Sequence, residues 1–133
     1  MSRGFLKNFI LLTWGIEVNQ SLSYINSNLN GEDIVCTVMG TLNKVDNPKG
    51  YECKKFGNLI TICGDITTEG GILLSLPESI RPPRTKLSAG CMMISTGTSC
   101  FIRIYDTGNV SVYTYTGAPA SGRIIFDITY TLD

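Results

Sequence analysis

Hydrophobic and polar residues alternate along most of the chain from Ile34 to the C-terminus. Near the end, for example, Ile124, Phe126 and Ile128 occupy every second position. A period of two places successive side chains on opposite faces of a β-strand. The pattern predicts strands over residues 34–42, 51–56, 59–67, 72–76, 100–105, 110–115 and 124–132. Short strands without intervening helices predict an all-β fold, an antiparallel β-sandwich or jelly-roll-like domain.

Glycines mark the places where the predicted strands turn or approach one another. Gly108 lies in a hairpin loop over residues 106–109 and is expected at a positive φ, which glycine adopts without a steric penalty. Gly64 interrupts the strand over residues 59–67, which predicts either a β-bulge or a close backbone approach. Residues 117–122 are small residues and one proline, and they predict a flexible loop.

Residues 1–30 follow another pattern and are predicted to form a short helical or extended N-terminal segment before a domain over residues 31–133. The apolar run at residues 9–12 is too short to span a bilayer, and no signal-peptide cleavage site follows it before Asn19. Apolar residues recur with a heptad-like spacing at Leu11, Val18, Leu22, Ile25 and Leu29. Two interpretations are open: a short oligomeric stalk, or a helix that packs on its own domain's sheet.

The charge balance argues against nucleic acid as a partner. Lys plus Arg and Asp plus Glu number 11 each, so the formal net charge is zero. No basic stripe of the kind that binds nucleic acid is present in the sequence. Hydrophobic residues make up 43% of the chain and charged residues 17%, which is typical of a folded domain rather than a disordered one. We therefore expect neither nucleic-acid binding nor membrane insertion.

The absence of histidine excludes several kinds of chemistry. The chain contains no histidine, so Ser-His-Asp and Cys-His mechanisms and most zinc sites cannot form within it. Its five cysteines show no CxxC spacing. We expect four of them to behave as small hydrophobic residues in strands of a protein made in a reducing cytoplasm, with a disulfide between two of them as the alternative. No catalytic residue, metal or cofactor is predicted.

Three motifs occur in order along the chain. Residues 51–66 read YECKKFGNLITICGDI, residues 76–82 read LPESIRP, and residues 104–110 read IYDTGNV. They resemble the Y-x-K-x-G, L-P-x-G-x-R-P and I-x-x-x-G-x-V runs of phage tail and baseplate receptor-binding head domains. The resemblance covers about residues 51 to 133. Ser79 stands where the family has glycine, and the family's aromatic residue after Arg81-Pro82 is absent.

The second motif has a physical explanation of its own. Pro77 and Pro82 have no amide donor, so this segment cannot be a central strand and must leave the sheet, turn and re-enter it. Arg81 can hold that turn by hydrogen bonds to backbone carbonyls or to a carboxylate. We therefore favour a structural role for Arg81 over contact with a ligand.

The resemblance implies a location and a set of partners. It implies a homotrimer at the tip of a virion tail appendage, attached to other tail or baseplate proteins and adhering to a saccharide or protein on the bacterial surface. Sugar sites combine aromatic rings with a few polar side chains. The hairpin around Asp106 carries that mixture at Arg103, Tyr105, Asp106, Asn109, Tyr113 and Tyr115. A subunit contact or plain surface is the alternative for these residues.

Three other functions are open. The domain could be a structural tail-fibre or baseplate subunit that binds only other virion proteins, or a bacterial carbohydrate-binding or adhesin module. A glycan-degrading enzyme would need two carboxylates at a suitable separation. The available carboxylates, Asp65, Glu69, Asp106 and Asp127, fall at predicted strand ends or turns. We therefore expect a non-enzymatic domain.

Overall fold

The computed structural model describes residues 30–44 and 49–133. Except for Asn30, the predicted N-terminal segment lies outside the described residues. The strands are β1 (Glu32–Asp33), β2 (Thr37–Val38), β3 (Thr41–Leu42), β4 (Tyr51–Phe56), β5 (Leu59–Thr68), β6 (Ile72–Ser75), β7 (Lys86–Met93), β8 (Thr98–Ile104), β9 (Asn109–Thr114) and β10 (Gly122–Thr131). Within this part of the chain the one helical element is a 3-10 turn at Glu78–Ile80. The all-β prediction is confirmed.

The strands form one curled, antiparallel, sandwich-like sheet. Its order is β1-β4-β5-β10-β7-β8-β9-β6-β2, and β3 pairs with β5 beside this path. Every pairing between the named strands is antiparallel. β5 and β10 are the two longest strands, with ten residues each, and they pair along their whole length. Because the sheet curls, its inner face encloses the core.

The inward positions are those that the alternation predicts. Along β10 the residues alternate between buried and exposed from Ile124 to Thr131. In β8, Cys100, Ile102 and Ile104 are buried, and the residues between them face outward. The largest fully buried side chains are Phe126, Ile60, Ile62, Ile66, Leu73, Leu74, Leu76, Ile80, Ile102, Ile104, Ile124 and Ile128. Burial of this apolar surface is the main stabilising contribution to the fold.

Residues 34–42 form two short strands rather than the single predicted one. β2 pairs with β6, and β3 pairs with the end of β5 that β4 leaves unpaired, so the segment connects two strands that lie far apart in the sheet order. Gly40 lies at the crossing, where a Cβ would overlap the carbonyl oxygen of Thr67. The alternation itself survives, because Cys36 is buried while Val35 is 82% exposed. The prediction of one strand was wrong because pairing with two distant strands divides the segment.

The proline-containing segment leaves the sheet as predicted and is held at its turn. The Nε of Arg81 donates to the carbonyl oxygen of Leu76 at 3.1 Å. The backbone N–H of Leu76 donates to the carbonyl of Gly108 at 2.7 Å. Gly108 has a φ of 99°, and a Cβ there would lie 2.7 Å from the Arg81 Nε. The second and third sequence motifs therefore meet in space, and the structural role predicted for Arg81 is confirmed.

The sequence pattern did not predict β7 or the two-residue strand β1. β7 is the longer of the two. Its ladder with β8 shifts register between Ala89 and Cys91, which marks a β-bulge or irregularity. Leu87 and Met92 both face solvent although they are five positions apart. An extra residue in a strand exchanges its two faces, so no single alternation runs through the segment.

Two predictions about glycine-containing segments have different outcomes. Gly64 is a close approach rather than a bulge: its ladders to both neighbours run through without a shift, and a Cβ there would lie 2.9 Å from the Phe126 ring. The loop over residues 117–122 was predicted to be flexible, and the structure shows that part of it contacts β9. Ala120 is fully buried and its N–H donates to the Val112 carbonyl at 3.0 Å. These contacts tie the loop to β9.

Four of the five cysteines are buried, as predicted for small hydrophobic residues, but one of the four, Cys36, lies outside the strands. All five are free thiols, and Cys36, Cys53, Cys91 and Cys100 are buried in the core. Cys63 is half-buried. The prediction that four cysteines act as small hydrophobic residues is confirmed.

Candidate functional site

Four outward-facing side chains of the β8–β9 hairpin form a cluster on the surface. Phe101, Arg103, Tyr105 and Tyr113, the aromatic–arginine cluster, come together because the alternate residues of these strands are buried. Phe101 lies directly opposite Tyr113 in the ladder. The same alternation that builds the core therefore presents these four side chains on one face.

The cluster is held by contacts among its own members. The rings of Phe101 and Tyr113 are stacked, with centroids 5.6 Å apart and planes inclined by 23°. The Arg103 Cζ lies 4.9 Å from the Tyr113 ring centroid and 5.5 Å from that of Phe101. The hydroxyls of Tyr105 and Tyr113 are 2.6 Å apart. Because stacking and cation–π contacts are each worth about 1 kcal/mol at such sites, the side chains are pre-organised.

The two tyrosine hydroxyls have shifted acidities. The hydrogen bond with Tyr113, with help from Arg103, lowers the pKa of Tyr105 below its usual value. The same bond raises the pKa of Tyr113. Tyr105 is therefore the more acidic phenol of the pair.

A cleft of about 250 Å³ borders the cluster. Its lining combines phenol, amide and hydroxyl groups with small apolar residues, and no described lining residue is a carboxylate. The lining residues are Gly70, Gly71, Ile72, Tyr105, Asn109, Ser111, Val112, Tyr113 and Pro119. Such a mixture suits a ligand that is bound by several neutral hydrogen bonds along an apolar wall.

The structure brings four of the six predicted site residues together. Tyr105, Asn109 and Tyr113 line the cleft, and Arg103 stacks on the Tyr113 ring at its border. Asp106 is exposed in the hairpin turn before β9. Tyr115 follows the other end of β9, is 76% exposed, and is not among the residues that line the cleft.

Sequence reasoning missed six of the nine residues that line the cleft, and it also missed Phe101 of the neighbouring cluster. Phe101 could have been found, because it lies in the outward register of β8 next to Arg103. Gly70, Gly71 and Pro119 come from the β5–β6 turn and from the docked loop after β9. No local signal connects these segments with the hairpin, since their meeting depends on the pairing of β6 with β9.

A second cleft, of about 480 Å³, adjoins the first across the β5–β6 turn. The two clefts share Gly70 and Ile72 as lining residues. The second cleft adds three threonine side chains and one carboxylate. Its other lining residues are Met39, Gly40, Thr41, Thr67, Thr68 and Glu69. Polar groups therefore continue along the surface beyond the aromatic–arginine cluster.

Asp65 lies on the outer face of β5 in an ion pair with Arg123 of β10. The Arg123 Nε donates to the two carboxylate oxygens at 2.9 and 3.2 Å. The Asn43 amide donates to the same carboxylate at 3.0 Å. The hydrogen bonds from Arg123 lower the pKa of Asp65, with Asn43 adding to the effect. This carboxylate is held ionised by its partners.

Searches for metal sites, membrane spans and relatives found no match. Across residues 30–44 and 49–133, no three or more His, Cys, Asp or Glu side chains are grouped to hold a metal ion. No helix in this part of the chain is long and apolar enough to cross a membrane. The chain matches no protein-family model, and no curated protein matches its sequence.

The hydrogen bond between Tyr105 and Tyr113 can be tested by alkaline titration. We expect Tyr105 to ionise below the usual phenol pKa of about 10. Replacing Tyr113 by Phe removes the partner hydroxyl, so the pKa of Tyr105 should rise toward that value. The absorbance of tyrosinate during a pH titration measures the change. Tyr115→Phe is the control and should leave the early step in place. An early step that survives in Tyr113→Phe would contradict the assigned hydrogen bond.

Proposed function

We propose that this chain is a non-enzymatic receptor-binding head domain of the phage tail type, which adheres to a glycan on the bacterial surface. The observation that carries the proposal is the aromatic–arginine cluster beside a cleft lined by neutral polar groups. Sugars present many hydroxyls and an apolar ring face, which fit the polar groups and the apolar wall of the cleft. The balanced charge of the chain fits a neutral ligand better than nucleic acid.

The cluster favours hydrogen bonding over ring stacking with the ligand. Arg103 lies over both the Phe101 and the Tyr113 ring, so it occupies a face of each. The hydroxyls of Tyr105 and Ser111 and the amide of Asn109 supply the hydrogen-bonding groups of the cleft. Contacts of this kind orient a saccharide and select among sugars by hydroxyl position.

Binding without hydrolysis is the better interpretation of the carboxylates. A glycosidase needs one carboxylic acid and one carboxylate on either side of the bond that is cleaved. Asp65 is held by Arg123 and Asn43, and Asp106 is exposed in the hairpin turn and is not among the residues that line the first cleft. Glu69 is the one carboxylate among the described lining residues of the second cleft.

Assembly and location follow from the resemblance. Head domains of this type act as homotrimers at the virion tail tip, and we propose the same arrangement here, with other tail or baseplate proteins as partners. The alternative is a structural virion subunit that binds no receptor. Exposed apolar residues favour it, because Met92 and Ile125 pair across β7 and β10 while both remain half-exposed. Such residues often belong to subunit contacts.

The test uses a fluorescent fusion of the full chain and a panel of bacteria from the source environment. We expect the fusion to label at least one strain. Asn109→Ala and Tyr113→Ala should each reduce labelling by about tenfold or more, since they remove groups that line the cleft. Thr131→Ala, at the exposed end of β10, is the matched control and should label like the parent. Light scattering of each variant reports the oligomer.

Each outcome has a distinct meaning. Periodate destroys the vicinal diols of sugars, so treated cells should lose labelling, whereas protease treatment should leave it unchanged. If labelling survives periodate but is lost after protease treatment, the receptor is a protein rather than a glycan. A monomer at micromolar concentration would overturn the trimer. Failure to label any strain would remove the adhesion proposal. Dissociation of the Tyr113→Ala oligomer would place the cluster in a subunit contact.

A further inference from the structure

Two buried cysteines lie directly opposite each other in neighbouring strands. Cys91 of β7 pairs with Cys100 of β8, and their Sγ atoms are 2.7 Å apart. Opposed residues of antiparallel strands have Cα atoms about 4.5 to 5.5 Å apart, within the range that a disulfide spans. Only a small movement would bring the sulfurs to the bonding distance of about 2.05 Å.

We propose that Cys91 and Cys100 form a cross-strand disulfide when the protein meets a two-electron oxidant such as hydrogen peroxide. One thiolate attacks a peroxide oxygen, which breaks the O–O bond, forms a sulfenic acid and releases hydroxide. The second sulfur then attacks the sulfenic sulfur, so that the S–S bond forms and the S–O bond breaks. The oxygen leaves as water. Two thiols lose two electrons and two protons, and one peroxide becomes two waters.

The other cysteines are placed less favourably for this reaction. The thiols of Cys36 and Cys53 share a hydrogen bond, but Cys53 is opposed in its ladder by Ile62 rather than by a cysteine. Cys36 lies outside any strand, before β2. Cys63 is half-buried on the outward side of β5, beside Glu52 and Asp127 in the register. The opposed pair in β7 and β8 is therefore the expected site of oxidation.

The disulfide between Cys91 and Cys100 would constrain β8, a strand that carries part of the candidate site. Cys100 directly precedes Phe101, so a bond at this position ties β7 to the strand that bears half of the aromatic–arginine cluster. Burial, together with the neighbouring Cys100, raises the pKa of the Cys91 thiol, so its thiolate is scarce and oxidation is expected to be slow. A cross-link also restricts the unfolded chain and raises stability. The inference stands whether or not the proposed function is correct.

One tryptic peptide makes the experiment direct. Trypsin cleaves after Lys86 and after Arg103, and the peptide between them contains Cys91, Cys100 and no other cysteine. The full chain is treated with hydrogen peroxide, unfolded, alkylated and digested. The mass of the peptide is then measured by mass spectrometry. We expect a peptide that is two hydrogen atoms lighter and carries no alkyl group. Methionine sulfoxide, which adds oxygen, is distinguished by mass.

Two variants and one physical measurement complete the test. Cys63→Ser is the matched control and should leave the cross-link unchanged, whereas Cys91→Ser should leave Cys100 open to alkylation. The oxidised parent should melt at a higher temperature than the reduced one, and dithiothreitol should reverse the shift. A peptide that still takes up two alkyl groups after oxidation would overturn the proposal. So would oxidation that links Cys36 to Cys53 and leaves this pair reduced.

Discussion

Replacement of Gly40 by alanine is expected to lower the free energy of unfolding by about 3 kcal/mol. A Cβ at this position would overlap the Thr67 carbonyl oxygen and would lie 2.7 Å from the Ile66 Cγ2. The oxygen belongs to the backbone of β5, so it cannot move aside as a flexible side chain would. The chain must instead lift β2 and β3 from the two strands with which they pair. Urea unfolding followed by far-ultraviolet circular dichroism measures the loss.

Gly70→Ala is the matched control for this prediction. Gly70, like Gly40, is not at a positive φ, and a Cβ there would meet nothing within 4 Å. Both substitutions restrict the unfolded chain equally, so the difference between them isolates the close approach at Gly40. Equal stabilities for the two variants would contradict the pairing of residues 37–42 with β6 and β5. A loss confined to Gly40→Ala would confirm it.

Regular alternation made much of the fold predictable. β4 covers the predicted residues, and β5 extends one residue beyond the prediction, with all its buried residues on one face. β7 could not be predicted in this way, since the irregularity between Ala89 and Cys91 exchanges its faces. The division of residues 34–42 depends on their pairing with β6 and with β5. The local sequence pattern does not indicate these partners. Alternation predicts strands, whereas tertiary pairing decides where they are interrupted.

The candidate site was predictable where it is local. Tyr105, Asn109 and Tyr113 belong to one hairpin, so their turn and register place them together without any other part of the chain. The opposite wall of the cleft comes from Gly70, Gly71 and Pro119, which only the folded sheet brings near. Asp106 and Tyr115 have the right chemistry for a sugar site, but they stand at the two ends of β9.

The contact between two sequence motifs shows what those motifs encode. Arg81 holds the Leu76 carbonyl, while Gly108 leaves room for the arginine and accepts a hydrogen bond from the Leu76 N–H. These residues are turn and clamp residues, and none of them belongs to the aromatic–arginine cluster. A resemblance at such positions indicates a shared fold. The ligand depends on other residues, which is why the cleft variants above are the decisive test of function.

Replacement of Phe126 by alanine is expected to lower the free energy of unfolding by about 3 to 5 kcal/mol. Phe126 is 2% exposed at the centre of β10, the strand that joins β5 to β7. Its ring fills the space that the missing side chain of Gly64 leaves open. The substitution therefore leaves a cavity that backbone on the opposite strand cannot fill. Domains are stable by about 5 to 15 kcal/mol, so the variant loses a large share of its stability.

Ile125→Ala, one position earlier, is the control that tests the register. Ile125 is 41% exposed and faces away from the core, opposite Met92. Its loss should cost under about 1 kcal/mol, because little buried surface is removed. A slip of one residue in β10 would exchange the two faces and reverse the two results. Urea unfolding of both variants therefore measures the packing of the core and also decides which face of the central strand lies inside it.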